Sequence, residues 1–123
     1  MFSWTEYRPF KQGAQTVLSP LESEVMEIMW KEKRATARHM YNRLEAKHSI
    51  NRTTVNATMN ALGKRGLLGA KISKGRGGLK YIYHVRCSRS KFARQVVDKV
   101  LDSLFDSYGR TAKKRARVKL KQV

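Results

Sequence analysis

The chain has 123 residues, with 27 Lys and Arg against 9 Asp and Glu, a formal net charge of +18. That length bounds it to one domain, or one domain with tails, and 41% hydrophobic content suffices for a small core and no more. A single cysteine excludes an intrachain disulfide framework and makes a reducing, cytoplasmic compartment the default, and no apolar run approaches the ~18 residues of a membrane span, so no membrane partner is expected.

Residues 1–17 form an arm that carries Phe2, Trp4, Tyr7 and Phe10 without clear periodicity. The first helix is well marked. Ser19-Pro20-Leu21-Glu22 supplies an N-cap, a proline at the first helical position and a glutamate that completes a capping box. Leu21, Val25, Ile28 and Met29 give the apolar stripe of a helix running to about Lys33. Thr36 caps a second helix through Lys47, with Met40, Leu44 and Tyr41 inward.

Asn51 caps a third helix from Arg52 to about Arg65, stopped by Gly66. Its apolar face is Val55, Met59 and Leu62, yet its polar positions hold Thr and Asn, which are mediocre helix formers. The outward residues are Arg52, Thr53, Asn56, Asn60 and Lys64, with Thr54 at the boundary, within reach of a phosphate. Asn pairs bidentately with adenine and Thr offers a hydroxyl or a methyl, so these residue types suit the reading of base edges in a major groove. The alternative is a helix that merely caps its start with Asn and Thr.

Leu67 to Ser73 and Leu79 to Arg86 alternate as two strands around the glycine-rich tip Lys74-Gly75-Arg76-Gly77-Gly78. Lys74 and Arg76 are placed to contact phosphates or enter a minor groove; a solvated turn is the plainer explanation of the same residues. Asp and Glu are absent from Ala46 through Val97, a span that holds twelve Lys or Arg residues. A solvated surface mixes signs, so a stretch purged of acids points to a polyanionic partner.

A last helix starts at Ser88 or Ser90 and ends at Gly109. Phe92, Val96, Val97, Val100, Leu101, Leu104, Phe105 and Tyr108 make a stripe too broad for a small domain to cover, which suggests self-association as a homodimer. Arg110 to Val123 holds seven basic residues and no acid, and is expected to be a disordered tail.

The expected fold class is α+β, mainly α: an arm (1–17), a winged helix-turn-helix domain (18–87), a dimerisation helix (88–109) and a basic tail (110–123). No nucleophile–base–acid set is visible, and His39, His48, His84 and Cys87 form no metal pattern, so neither catalysis nor a cofactor or metal is expected.

Leu18-Ser19-x-x-Glu22-x-Glu24-Val25-Met26-x-Ile28-x-Trp30 and Thr53-Thr54-Val55, followed by Leu62-x-Lys64-x-Gly66-Leu67-Leu68, resemble the penicillinase-repressor family, which includes methicillin-resistance and copper-responsive repressors. The match runs over about residues 18–105. The resemblance implies a winged-helix dimer that binds a palindromic operator in double-stranded DNA and represses transcription, with Thr53, Thr54 and Asn56 at reading positions. This chain has Ala57 where the family often has Thr, and Ala61 where it often has Arg. It has Leu104-Phe105 rather than the Asn-Phe cleavage site of the antibiotic-resistance members, and Cys87 alone rather than the paired Cys-x-Cys of the copper-responsive ones. Neither a small-molecule nor a protease inducer is identified. The other readings are an architectural nucleic-acid-binding protein with little sequence preference, favoured by the charge and the basic tail, and a protein-interaction module, disfavoured by the acid-free span.

Overall fold

The computed structural model describes residues 2–123, which fall into two compact units, Met1–Arg89 and Ser90–Val123. The first contains helix α1 (Pro20–Glu32), strand β1 (Arg34–Thr36), helices α2 (Ala37–Glu45) and α3 (Arg52–Lys64), and strands β2 (Leu68–Gly75) and β3 (Gly78–Val85). Helix α4 (Arg89–Lys121) makes up nearly all of the second.

The capping signals act as their residues require. Ser19 accepts from the Glu22 N–H at 3.1 Å while Glu22 Oε1 accepts from the Ser19 N–H at 2.9 Å. Thr36 Oγ1 accepts from the His39 N–H, and Asn51 Oδ1 from the Thr54 N–H. Helix α3 ends in a Schellman arrangement around Gly66, whose φ is 88°: the Leu67 N–H donates to the Leu62 carbonyl and the Gly66 N–H to that of Gly63.

The core is built from Val25, Met26 and Met29 of α1, Met40 and Leu44 of α2, and Val55, Met59 and Leu62 of α3, closed by Leu67 and Leu68. The buried face of α1 also takes in Trp30, whose Nε1–H donates to the Cys87 carbonyl at 2.8 Å, whereas Leu21 and Ile28 are only half-buried. The start of the arm packs on the domain, while Phe10 is exposed. Phe2 is buried, its ring centroid 5.2 Å from that of Trp4, and Ser3 exchanges hydrogen bonds with Arg65.

Sequence patterning did not anticipate β1. The sheet is three-stranded in the order β1-β3-β2, with Arg34, Ala35 and Thr36 opposite His84, Tyr83 and Ile82. Lys33 makes this pairing possible, because its left-handed backbone (φ 75°) reverses the chain at the end of α1.

The expectation for the C-terminus is corrected in one respect. Gly109 (φ 47°, ψ −115°) leaves helical geometry and interrupts α4 where a helix end was expected, but the chain beyond it, from Arg110, is helical again through Lys121 rather than disordered. Ala, Lys, Arg and Leu are strong helix formers, and Lys119 and Lys121 sit at the negative end of the helix dipole.

Candidate nucleic-acid interface

Arg52, Asn56, Asn60 and Lys64 are four residues apart and form one exposed row along α3. Thr53 and Thr54 are exposed at its start. The Thr54 hydroxyl donates to Asn51 Oδ1 at 2.9 Å, so it reinforces the cap, and Thr58 Oγ1 donates back to the Thr54 carbonyl. The Arg52 guanidinium lies 5.5 Å from the centroid of the Tyr41 ring, a cation–π contact that restricts it at the positive end of the helix.

On one side of this row, α3 and the sheet enclose a groove of about 580 Å³ lined by Asn56, Asn60, Lys64, Tyr81, Tyr83 and Arg86, among others. Burial, and then the neighbouring Tyr81, hold the Tyr83 hydroxyl above the usual phenol range, so it stays a neutral hydrogen-bonding group. On the other side a shallower furrow of about 500 Å³ runs between α3 and the start of α1, past Thr53, Ala57 and Ala61. The short side chains of Ala57 and Ala61 keep it open.

Lys74 and Arg76 are exposed on the wing, whose last pair, Gly75 and Gly78, leaves Arg76-Gly77 as the turn. Thus α3 and the base of the wing border one groove, with Asn56, Asn60 and Lys64 of the exposed row on one side and Tyr81, Tyr83 and Arg86 on the other, while Lys74 and Arg76 lie at the wing tip and do not line it. Tyr81, Tyr83 and Arg86 were not singled out as site residues from sequence, and Tyr41, expected to face inward, is only half-buried and lies under Arg52. The alternation of the second strand did place Tyr81 and Tyr83 on one face, and Arg86 lies in the acid-free run.

Each carboxylate of α1 has a basic partner, an arginine or a histidine ring. Glu22 lies 2.9 Å from Arg65, Glu24 2.7 Å from His48, Glu27 2.6 Å from Arg89, and Glu32 2.7 Å from His39. Cationic excess is therefore left on α3 and the wing.

Of the residues expected at a dimer interface, Phe92 is only 5% exposed within the single chain and so does not contribute to an open face. Val97, Leu101, Leu104 and Tyr108 are exposed at alternating spacings of four and three, and Val96, Val100 and Phe105 are half-buried. Around the bend at Gly109, Leu101, Leu104, Phe105 and Tyr108 face Ala112, Ala116 and Leu120 across an apolar trough of about 660 Å³.

Three helices, a three-stranded sheet and an exposed third helix beside a basic hairpin define a winged-helix domain of the DNA-binding kind. Residues 18–117 match the family model described as penicillinase repressor, and the chain belongs to that family of DNA-binding transcriptional regulators. Among solved structures it is similar to a possible transcriptional regulator from Methanosarcina mazei Go1, at 20% identity and a TM-score of 0.59, covering 79% of this chain and 78% of that one. That degree of identity speaks to the fold alone. No curated protein matches the sequence.

Proposed function

We propose that the protein is a homodimeric repressor that binds a palindromic operator, acting by occupancy rather than by catalysis, in the cytoplasm where the DNA lies. The observation that carries this reading is the exposed row Arg52, Asn56, Asn60 and Lys64, set on a rigid helix inside a span with no acidic residue. In the proposed complex α3 lies in the major groove. Asn56 and Asn60 read base edges with Thr53, while Arg52, Thr54 and Lys64 meet flanking phosphates. Lys74 and Arg76 follow the backbone or the adjacent minor groove. The exposed seam Val97, Leu101, Leu104 and Tyr108 supports self-association, and a two-fold pair would present two reading helices to an inverted repeat.

One observation favours a second reading, that of an architectural protein: the C-terminal arm of α4, from Arg110, is helical and carries seven basic residues and no acid. Such a protein would bind duplexes with little sequence preference.

Selection of bound duplexes from a random-sequence pool, at roughly 150–200 mM salt to suppress purely electrostatic binding, separates the two. The repressor reading expects enrichment of an inverted repeat with half-sites about one helical turn apart. A pool that stays random while binding remains strong assigns the protein to the architectural class.

A further inference from the structure

The wing has two chemically different faces. Antiparallel partners share a face, so Ala70, Ile72 and Lys74 stand with Tyr83, Tyr81 and Leu79, while Lys71 and Ser73 stand with Ile82 and Lys80 on the back. Ala70, Tyr81 and Tyr83 line the groove beside α3, which identifies the first set as the face turned toward the reading helix. Ile72 and Leu79 continue that face to the tip. They are 60% and 61% exposed, and Tyr81 is 54% exposed. A wing built only for solvation and charge would leave no large apolar groups uncovered on one face. Here the back carries Lys71, Ser73 and Lys80 beside Ile82, whereas Ile72, Leu79 and Tyr81 stand uncovered on the front with Lys74 at the tip.

We propose that this front face packs against the sugars of one DNA strand, so that the wing holds the duplex by salt-independent contact as well as by charge. The proposal rests on the duplex-binding reading above. Charge complementarity selects the occupant. Lys64 and Arg86 border the groove, Lys74 stands on the same face at the tip, and no acid occurs between Ala46 and Val97, so whatever covers the face is anionic at its margins. A sugar–phosphate strand has that character, with apolar ring edges between evenly spaced charges. Tyr81 offers a flat ring to a deoxyribose, and Ile72, directly opposite it, offers a branched aliphatic surface.

The two kinds of contact differ in their response to salt. Phosphate neutralisation releases counterions and sets the slope of log affinity against log salt, whereas apolar burial leaves that slope alone. Binding to the selected operator should be titrated over a salt series for the full chain and for Ile72→Ser, Tyr81→Ser and Lys74→Gln, with thermal denaturation to verify that each folds. Each serine variant is expected to bind roughly five- to tenfold more weakly at every salt concentration, with unchanged slope and unchanged base preference. Lys74→Gln is expected to lower the slope by about one. Unchanged affinity in both serine variants overturns the proposal, and so does a loss that comes with a reduced slope. A changed sedimentation of the free serine variants also overturns it, by assigning the face to a contact between copies. Failure of the unaltered chain to bind any duplex instead refutes the repressor reading, and is seen before any variant is made.

Discussion

Arg65 binds Glu22 across the body of the domain, with its Nη1–H donating to Glu22 Oε2 at 2.9 Å, so the end of α3 is tied to the capping box of α1. The same guanidinium donates through Nη2 to the Val17 carbonyl and through Nε to that of Ser3, which fastens the N-terminal arm. Burial pushes the Glu22 carboxyl up, but the Ser19 N–H and the Arg65 charge outweigh it and hold the group below its ordinary value. A carboxyl whose folded value is depressed contributes stability above its unfolded value, and that contribution is lost as pH falls through the folded one. Arg65→Ala should therefore cost roughly 2 kcal/mol near neutrality, and its deficit relative to the parent should shrink as pH falls through the Glu22 titration, because the variant has less carboxylate-linked stability to lose. Urea unfolding from about pH 6 to about pH 3 checks both statements.

Contacts that are local in sequence were legible in it. Ser19 and Glu22, Thr36, Asn51 and Gly66 each act within a few residues of their own position, and each does what its residue type requires. Strand β1 was not legible, because three residues carry no period and its partner lies some fifty residues away. The helix beyond Gly109 was masked by its charge, although Ala112, Ala116 and the Lys and Arg around them are good helix formers. Period-two alternation says that the wing has two faces but not which one turns to α3. For that reason Tyr81 and Tyr83 read as ordinary strand residues in the sequence, and only the groove they line distinguishes them.

Gly69 owes its identity to His84. The two are cross-strand partners, and a Cβ at residue 69 would lie 2.5 Å from the His84 ring and 2.9 Å from Arg86 Cδ. Gly69→Ala should destabilise the domain by about 1–3 kcal/mol through this overpacking. In a His84→Ala background the cost should shrink, since the nearer obstruction is gone, only the flexible Arg86 side chain must shift, and glycine is itself a poor strand residue. A double-mutant cycle by chemical denaturation reads the coupling directly. Equal costs in the two backgrounds would show that the ring is not what excludes a side chain.

Lys33 is the one described non-glycine residue with positive φ, at 75°. Its N–H donates to the Met29 carbonyl and its own carbonyl accepts from the Val85 N–H, so the turn is fixed by backbone bonds that any residue can make. Left-handed backbone costs an L-residue about 1–2 kcal/mol, and glycine recovers most of that while adding some unfolded-state entropy. Lys33→Gly is expected to raise stability by roughly 0.5–1 kcal/mol, seen as a higher Tm. A fall in Tm would mean that the lysine side chain supplies more than the strain removes.

Asn56 stands on the exposed row between Arg52 and Asn60 and borders the groove beneath the wing. If it reads a base, Asn56→Ala should lose about 1–3 kcal/mol of discrimination at one position of each half-site, leaving preferences elsewhere intact. Repeating the duplex selection with this variant tests it. Uniform weakening on all sequences would identify Asn56 as a backbone contact.

Leu104 lies in the middle of the exposed seam that runs from Val97 through Leu101 to Tyr108. Spacings of four and three keep such a seam on one side of a helix, which is the pattern that pairs two helices. A carboxylate placed there would be desolvated on association without a partner, so Leu104→Glu should shift the protein from dimer to monomer by sedimentation. The winged-helix unit, Met1–Arg89, lies outside this region, and its thermal unfolding should persist. Affinity for an inverted repeat should fall by orders of magnitude, while affinity for an isolated half-site stays close to that of the parent, because only the linkage between two reading helices is lost. If Leu104→Glu remains dimeric, the seam is not the interface. If it becomes monomeric yet keeps full affinity for the inverted repeat, the two half-sites are being occupied independently.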